Sequence, residues 1–133
     1  MPRFLLNEEE YEFDLSDPGT TVLDFVRDEL KLKGTKEGCA SGDCGACTGV
    51  LASYRDLGGQ LVYKTVNSCI TLMGNIDGQQ LITVEHLKNQ SKLHPSQSSL
   101  VETHGSQCGF CTPGFVMSLF ACYKNRSDYD RDR

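Results

Sequence analysis

Glu37-Gly38-Cys39-Ala40-Ser41-Gly42-Asp43-Cys44-Gly45-Ala46-Cys47 is the stretch around which this 133-residue chain is organised. Three of the seven cysteines stand here in the order C-x4-C-x2-C, and a fourth, Cys69, follows beyond a segment with strand character. The residues between them have little bulk: Gly38, Gly42 and Gly45, with Ala40, Ser41 and Ala46. A short loop can wrap an anionic group closely, with its N–H groups turned inward, when such residues are free to take positive φ.

Four thiolates at this spacing form the plant-type ligand pattern of a [2Fe–2S] cluster. Cys39, Cys44, Cys47 and Cys69 are therefore the candidate ligands of a first metal site. Structural zinc favours two separated C-x2-C knuckles. The nearest such pairing, Cys44/Cys47 with Cys108/Cys111, leaves Cys39 and Cys69 without a role. Disulfides suit secreted chains, and the N-terminus carries no signal-peptide pattern. Buried structural thiols would have no reason to gather in a glycine loop.

The composition, 38% hydrophobic and 23% charged, is that of a soluble globular protein without an apolar run long enough to span a membrane. The net charge of −5 and the lack of any Lys/Arg cluster argue against nucleic acid. Thiol-rich sequence without a leader fits a reducing compartment, so a cytoplasmic location is expected.

Arg3-Phe4-Leu5-Leu6 and Tyr11-Glu12-Phe13-Asp14-Leu15 are expected to pair as a hairpin through Asn7-Glu8-Glu9. Ser16-Asp17-Pro18-Gly19 is a turn, and a helix capped by Thr20 or Thr21 is expected over about residues 20–30. Its apolar face is Val22, Phe25, Val26 and Leu30. Gly49-Val50-Leu51-Ala52-Ser53-Tyr54 and Leu61-Val62-Tyr63-Lys64-Thr65-Val66 form a second hairpin, with its turn at Leu57-Gly58-Gly59-Gln60, and this hairpin returns Cys69 to the glycine loop. Leu81-Ile82-Thr83-Val84 is a last short strand. The order ββαβββ gives an α+β fold, a β-grasp ferredoxin-like domain over residues 1–84.

From residue 85 the pattern turns helical, which suggests a second, all-helical domain over 85–133. Pro95 suits a helix start near Ser96, with a stop at Gly105. A second helix should open at Thr112-Pro113, immediately after Gln107-Cys108-Gly109-Phe110-Cys111, and run to about residue 124. This helix is apolar nearly all round and Cys122 reads as one of its small core residues. With no partner in view, the helix is expected to bury itself against a second copy of the chain. His86, His94 and His104 lack the company of a metal site, and Asp128-Tyr129-Asp130-Arg131-Asp132-Arg133 reads as a solvated end.

Thr35-Lys36-Glu37-Gly38-Cys39 through Cys47, Asn67-Ser68-Cys69, His94-Pro95 and Gly105-Ser106-Gln107-Cys108-Gly109-Phe110-Cys111-Thr112-Pro113-Gly114 together resemble the iron–sulfur segment of the molybdenum hydroxylases. That family includes xanthine dehydrogenases, aldehyde oxidases and carbon monoxide dehydrogenases, and the chain looks most like the N-terminal segment of a bacterial xanthine dehydrogenase small subunit. The resemblance implies two [2Fe–2S] clusters in series, relaying electrons from a molybdenum–pterin site to FAD on partner domains. It assigns Cys39, Cys44, Cys47 and Cys69 to the FAD-side cluster. It gives Cys108 and Cys111 two corners of the molybdenum-side cluster, and Gln107 a contact with the pterin. A purine such as hypoxanthine or xanthine is the substrate it implies for the parent enzyme.

The family pattern also requires a later C-x-C pair and two further helices to complete a four-helix bundle. The chain reads as a fragment that has half of that bundle, so one cluster is expected to form and the second site to be incomplete. No nucleophile–base arrangement or phosphate-binding loop is present, so no residue is assigned a catalytic role. A free-standing ferredoxin-type shuttle and a zinc-bound structural module are the alternatives.

Overall fold

The structure, a computed structural model, describes residues 2–54, 61–88 and 92–125. Among the described residues five strands form one mixed sheet: β1 (Arg3–Leu6), β2 (Glu9–Glu12), β3 (Thr48–Tyr54), β4 (Leu61–Asn67) and β5 (Gln80–Ile82), in the order β2-β1-β5-β3-β4. β1 pairs antiparallel with β2 and parallel with β5, while β3 runs antiparallel to both β5 and β4. The α+β, ferredoxin-like architecture expected from the sequence is what the chain adopts.

The first hairpin closes earlier than its sequence pattern suggests. Leu6 pairs with Glu9, so β2 ends at Glu12 rather than continuing to Leu15. Asn7 makes the tight turn possible by taking φ 57°, and its side chain binds the Thr83 backbone N–H at 3.0 Å. Phe13 leaves the ladder yet stays buried, packing edge-on against Phe25. The turn expected at Leu57-Gly58-Gly59-Gln60 lies outside the described residues.

The first helix begins as α1 (Val22–Asp24), capped by the Thr21 hydroxyl, and continues as a π-helical turn, Phe25–Glu29. The wider winding shows in the Leu30 N–H, which reaches the Phe25 carbonyl at 3.1 Å. It packs Val22, Phe25 and Val26 with Phe4, Leu6, Leu51, Met73, Ile76 and Leu81 into a core on one side of the sheet.

The other face carries α2 (Pro95–Glu102) and α3 (Thr112–Lys124). Val116, Met117, Phe120 and Ala121 of α3 share a core with Val50 and Ala52 of β3 and Ile82 of β5. Consecutive residues of β3 thus point into different cores, Leu51 to one and Val50 and Ala52 to the other. The sheet is the middle layer. This corrects the expectation of an unpartnered final helix, because the chain's own sheet covers its apolar side. Cys122, expected in a core, is exposed on the opposite side.

Both C-terminal helices start one residue before the sequence-based expectation. His94 caps α2 with its own ring: Nδ1 accepts the Ser96 N–H at 3.1 Å, while Gln97 returns a bond to the His94 N–H at 3.0 Å. Thr112 could cap a helix whose first residue is Pro113, but Cys111 occupies the cap position of α3 and Thr112 is its first residue. At the end of α2 the left-handed residue is His104 rather than Gly105, with φ 55°.

Candidate metal centre

β3 and β4 bring the remote cysteine home. Their ladder ends with Thr48 opposite Asn67, which sets Cys47 beside Ser68 and lets the Ser68 N–H bond the Cys47 carbonyl at 3.3 Å. The Ser68 carbonyl in turn accepts the Leu23 N–H at 3.0 Å, and the Thr71 carbonyl accepts that of Val22 at 2.8 Å. The turn after β4 is therefore clamped to α1. The result is a Cys47 Sγ to Cys69 Sγ distance of 3.3 Å, close contact between free sulfurs.

Cys39 and Cys44 make the second pair. The Cys39 sulfur accepts N–H groups of Ser41, Asp43 and Cys44 at 3.4, 3.2 and 3.3 Å. The Cys44 sulfur accepts those of Cys39 and Ala46, both at 3.4 Å. Inward-turned amides of this kind require left-handed backbone, and Ala40, Gly42 and Gly45 supply it with φ of 56°, 85° and 76°. At Gly38 the constraint is space instead: a Cβ there would lie 2.7 Å from the Cys44 sulfur. Asn67, which the sequence did not single out as functional, holds the loop to β4 through its side-chain amide, donating to the Gly42 carbonyl at 3.1 Å.

The electrostatics follow from these contacts. The Ser41 hydroxyl and the amides of Ser41, Cys44 and Asp43 pull the Cys39 thiol down to about 6. Desolvation, and then the Cys47 thiol beside it, push Cys69 up to about 11. Metal binding at Cys69 must displace a proton. Among the described residues no three His, Cys, Asp or Glu side chains gather around one point as a single-ion site needs. Two sulfur pairs, with amides aimed at Cys39, Cys44 and, from Gly42, at Cys69, suit a group with two metal ions and anionic sulfur, and the residues present fit a [2Fe–2S] cluster.

Cys108 and Cys111 are exposed, with Gly109 between them at φ 85°. The loop is tied by a Ser106 Oγ to Thr112 Oγ1 bond of 2.7 Å. Gln107 is exposed beside Cys108. The two cysteine regions are neighbours: a cavity of about 340 Å³ is lined by Cys44, Gly45 and Thr48 from the first and Cys111, Thr112 and Gly114 from the second.

Fold and site together define an iron–sulfur domain of ferredoxin-like type with a helical segment laid on its sheet. Residues 4–74, more than half the chain, match the family model described as 2Fe-2S iron-sulfur cluster binding domain, and residues 83–133 match the [2Fe-2S] binding domain model. The xanthine dehydrogenase of Blastobotrys adeninivorans is 50% identical over 109 residues, 82% of this chain and 8% of that protein. The xanthine dehydrogenase/oxidase of Mus musculus is 42% identical over 94% of this chain and 9% of its own. Among solved structures, the aldehyde oxidoreductase of Desulfovibrio gigas superposes with a TM-score of 0.81 at 33% identity, over 98% of this chain and 13% of that one. Quinoline 2-oxidoreductase from Pseudomonas putida 86 gives 0.80 at 30% identity, over 98% of this chain and 74% of that one. The chain belongs to the 2Fe-2S cluster-binding family, as an iron–sulfur segment of the molybdenum hydroxylase kind. It spans less than a tenth of the xanthine dehydrogenases it matches, and these matches do not single out a bacterial small subunit.

Proposed function

We propose that this chain is an electron relay within a xanthine dehydrogenase-like enzyme, between a molybdenum–pterin site and FAD carried on other domains. The observation that supports it most directly is the set of main-chain N–H groups converging on the Cys39 and Cys44 sulfurs, together with the close Cys47–Cys69 pair. A [2Fe–2S] cluster, when bound, takes up and releases one electron at a time. Around it the protein's part is geometric and electrostatic. Cys39 and Cys44 would hold one iron, Cys47 and Cys69 the other. The amides on the first pair stabilise added negative charge, which favours the reduced form. The clamp between Ser68 and α1 keeps the fourth ligand in place, so little rearrangement accompanies each electron.

Cys108 and Cys111 would supply two ligands of the second, molybdenum-side cluster, and Gln107 a contact to the pterin. Cys122, the one other cysteine, is exposed on α3, and the proposal is one cluster, at Cys39, Cys44, Cys47 and Cys69. Residues 1–84 and 85–133 are the two functional units, although α3 is seated on the sheet of the first. Exposed Phe110 and Phe115 next to the second cysteine pair are where partner domains, or a second copy of the chain, would dock. No helix among the described residues is long and apolar enough to cross a membrane. A cytoplasmic location and a purine substrate for the parent enzyme belong to the same proposal.

The test is a visible spectrum of the freshly purified chain, with iron and sulfide counts. A red-brown protein with two irons and two sulfides per chain, bleached by dithionite, is expected. A colourless, zinc-containing protein would replace the relay with a structural zinc module. Four irons per chain would refute the single-cluster assignment.

A further inference from the structure

Gly114 lies in the first turn of α3, three residues after Cys111, and nothing in the pattern of metal ligands requires a glycine there. The structure gives a reason. A Cβ on Gly114 would sit 2.0 Å from the carbonyl oxygen of Gly45 and 3.2 Å from the Cα of Ala46. The first turn of the helix therefore rests directly on the backbone of the loop that carries Cys44, with no side chain between.

The Gly45 carbonyl is held from its other side as well. It accepts the Thr48 hydroxyl at 2.7 Å and the Thr48 N–H at 3.1 Å. Gly45 itself stands at φ 76°, and the next amide, Ala46 N–H, donates to the Cys44 sulfur at 3.4 Å. A chain of contacts thus runs from α3 through Gly45 to the hydrogen bond on a ligand sulfur. Val116, Met117, Phe120 and Ala121 of α3 are buried in the core beneath it, and Ala46 and Cys47 are buried on the loop side. A methyl on Gly114 would press on the Gly45–Ala46 backbone, whose Ala46 N–H is the contact with the Cys44 sulfur.

We propose that Gly114 is a positioning residue for the first metal site: by admitting the Gly45 backbone against α3, it sets the Ala46 amide on the Cys44 sulfur and so tunes the cluster held there. This rests on the assignment of Cys44 as an iron ligand. Hydrogen bonds to ligand sulfur favour the reduced form of a cluster, so loosening this one lowers the midpoint potential.

The experiment compares wild type, Gly114→Ala and Gly78→Ala after anaerobic reconstitution of the full chain with iron and sulfide. Gly78 is a control for a methyl that strains backbone without meeting a neighbour: it stands in left-handed backbone, at φ 74°, and has open space where a Cβ would go. Gly114→Ala is expected to keep two irons, change the EPR and visible CD signature, shift the potential downwards and lose its cluster to a chelator about tenfold faster. Gly78→Ala is expected to lower thermal stability while leaving spectrum and potential as in wild type. A Gly114→Ala protein with wild-type signature and potential overturns the proposal, as does a Gly78→Ala protein that reproduces the same spectral change. If Gly114→Ala does not fold, Val116→Ala replaces it, because it loosens the seat of α3 without touching the loop. Faster cluster loss then supports the proposal, and loss at the wild-type rate overturns it. A wild-type chain that takes up no cluster defeats the functional assignment itself, before any variant is compared.

Discussion

The sulfurs of Cys47 and Cys69 approach to 3.3 Å although the two residues are 22 apart in sequence. The β3–β4 ladder produces that approach, and the bonds from Ser68 to Cys47 and from Leu23 to Ser68 fix it against α1. Cys69 is thereby part of the folded frame.

Removing the remote sulfur tests the ligand set. Cys69→Ser should leave the fold intact by far-UV CD, because the bonds of Ser68 and Thr71 that hold this turn to Cys47 and α1 do not use the thiol. Iron content at the first site should fall well below two per chain, with bleaching of the visible spectrum. Full iron with an unchanged spectrum would mean that Cys69 is a bystander.

Gly38→Ala should act through the ligand rather than through the backbone. Gly38 does not need positive φ, but its added methyl would meet the Cys44 sulfur at 2.7 Å. A cluster that assembles poorly and releases iron about ten times faster, on a chain of near wild-type stability, is the expected outcome. Chelator-competition kinetics read it directly.

Phe120→Ala addresses the seating of α3 on the sheet. Phe120 is buried and packs edge-on against both Tyr63 and His94. Truncating it should cost about 3–5 kcal/mol in denaturant unfolding, with loss of the sheet and α3 in one transition. Two separated transitions, with only the second weakened, would show that the helices fold independently of the sheet.

Stability should fall on mild acidification, through His94. Burial, with the nearby Lys124 charge adding to it, holds this imidazole below its ordinary value. A group whose protonation is disfavoured in the folded state contributes stability fully above the unfolded value near 6.5, and that contribution is lost as pH falls through the lower folded value. Protonation also removes the Nδ1 acceptor that caps α2, between Phe120 and Tyr123. Thermal melts between pH 7.5 and 5 should show a midpoint that drops in the wild type. His94→Asn, which can cap without titrating, should flatten that dependence. An equal drop in both proteins would remove His94 from this role.

Much of this molecule was written in local sequence. The C-x4-C-x2-C spacing among small residues marks a cluster loop whatever the rest of the chain does, because only such residues can turn amides inward. Apolar and β-branched runs located β1, β3 and β4, while the alternation over Tyr11–Leu15 overran β2, and Pro95 and Thr112-Pro113 placed the starts of α2 and α3 to within a residue. Tertiary structure decided the rest. Leu51 and its neighbours Val50 and Ala52 look alike as sequence, yet they serve two cores, because whether a strand is covered on one face or both depends on what the remainder of the chain lays over it. α3 looked partnerless for the same reason: an apolar helix states how much it must bury, not against what. In sequence, Gly114 is only the last residue of the motif that runs from Gly105. Its requirement comes from the Gly45 backbone some seventy residues earlier, and only the folded chain brings the two into contact.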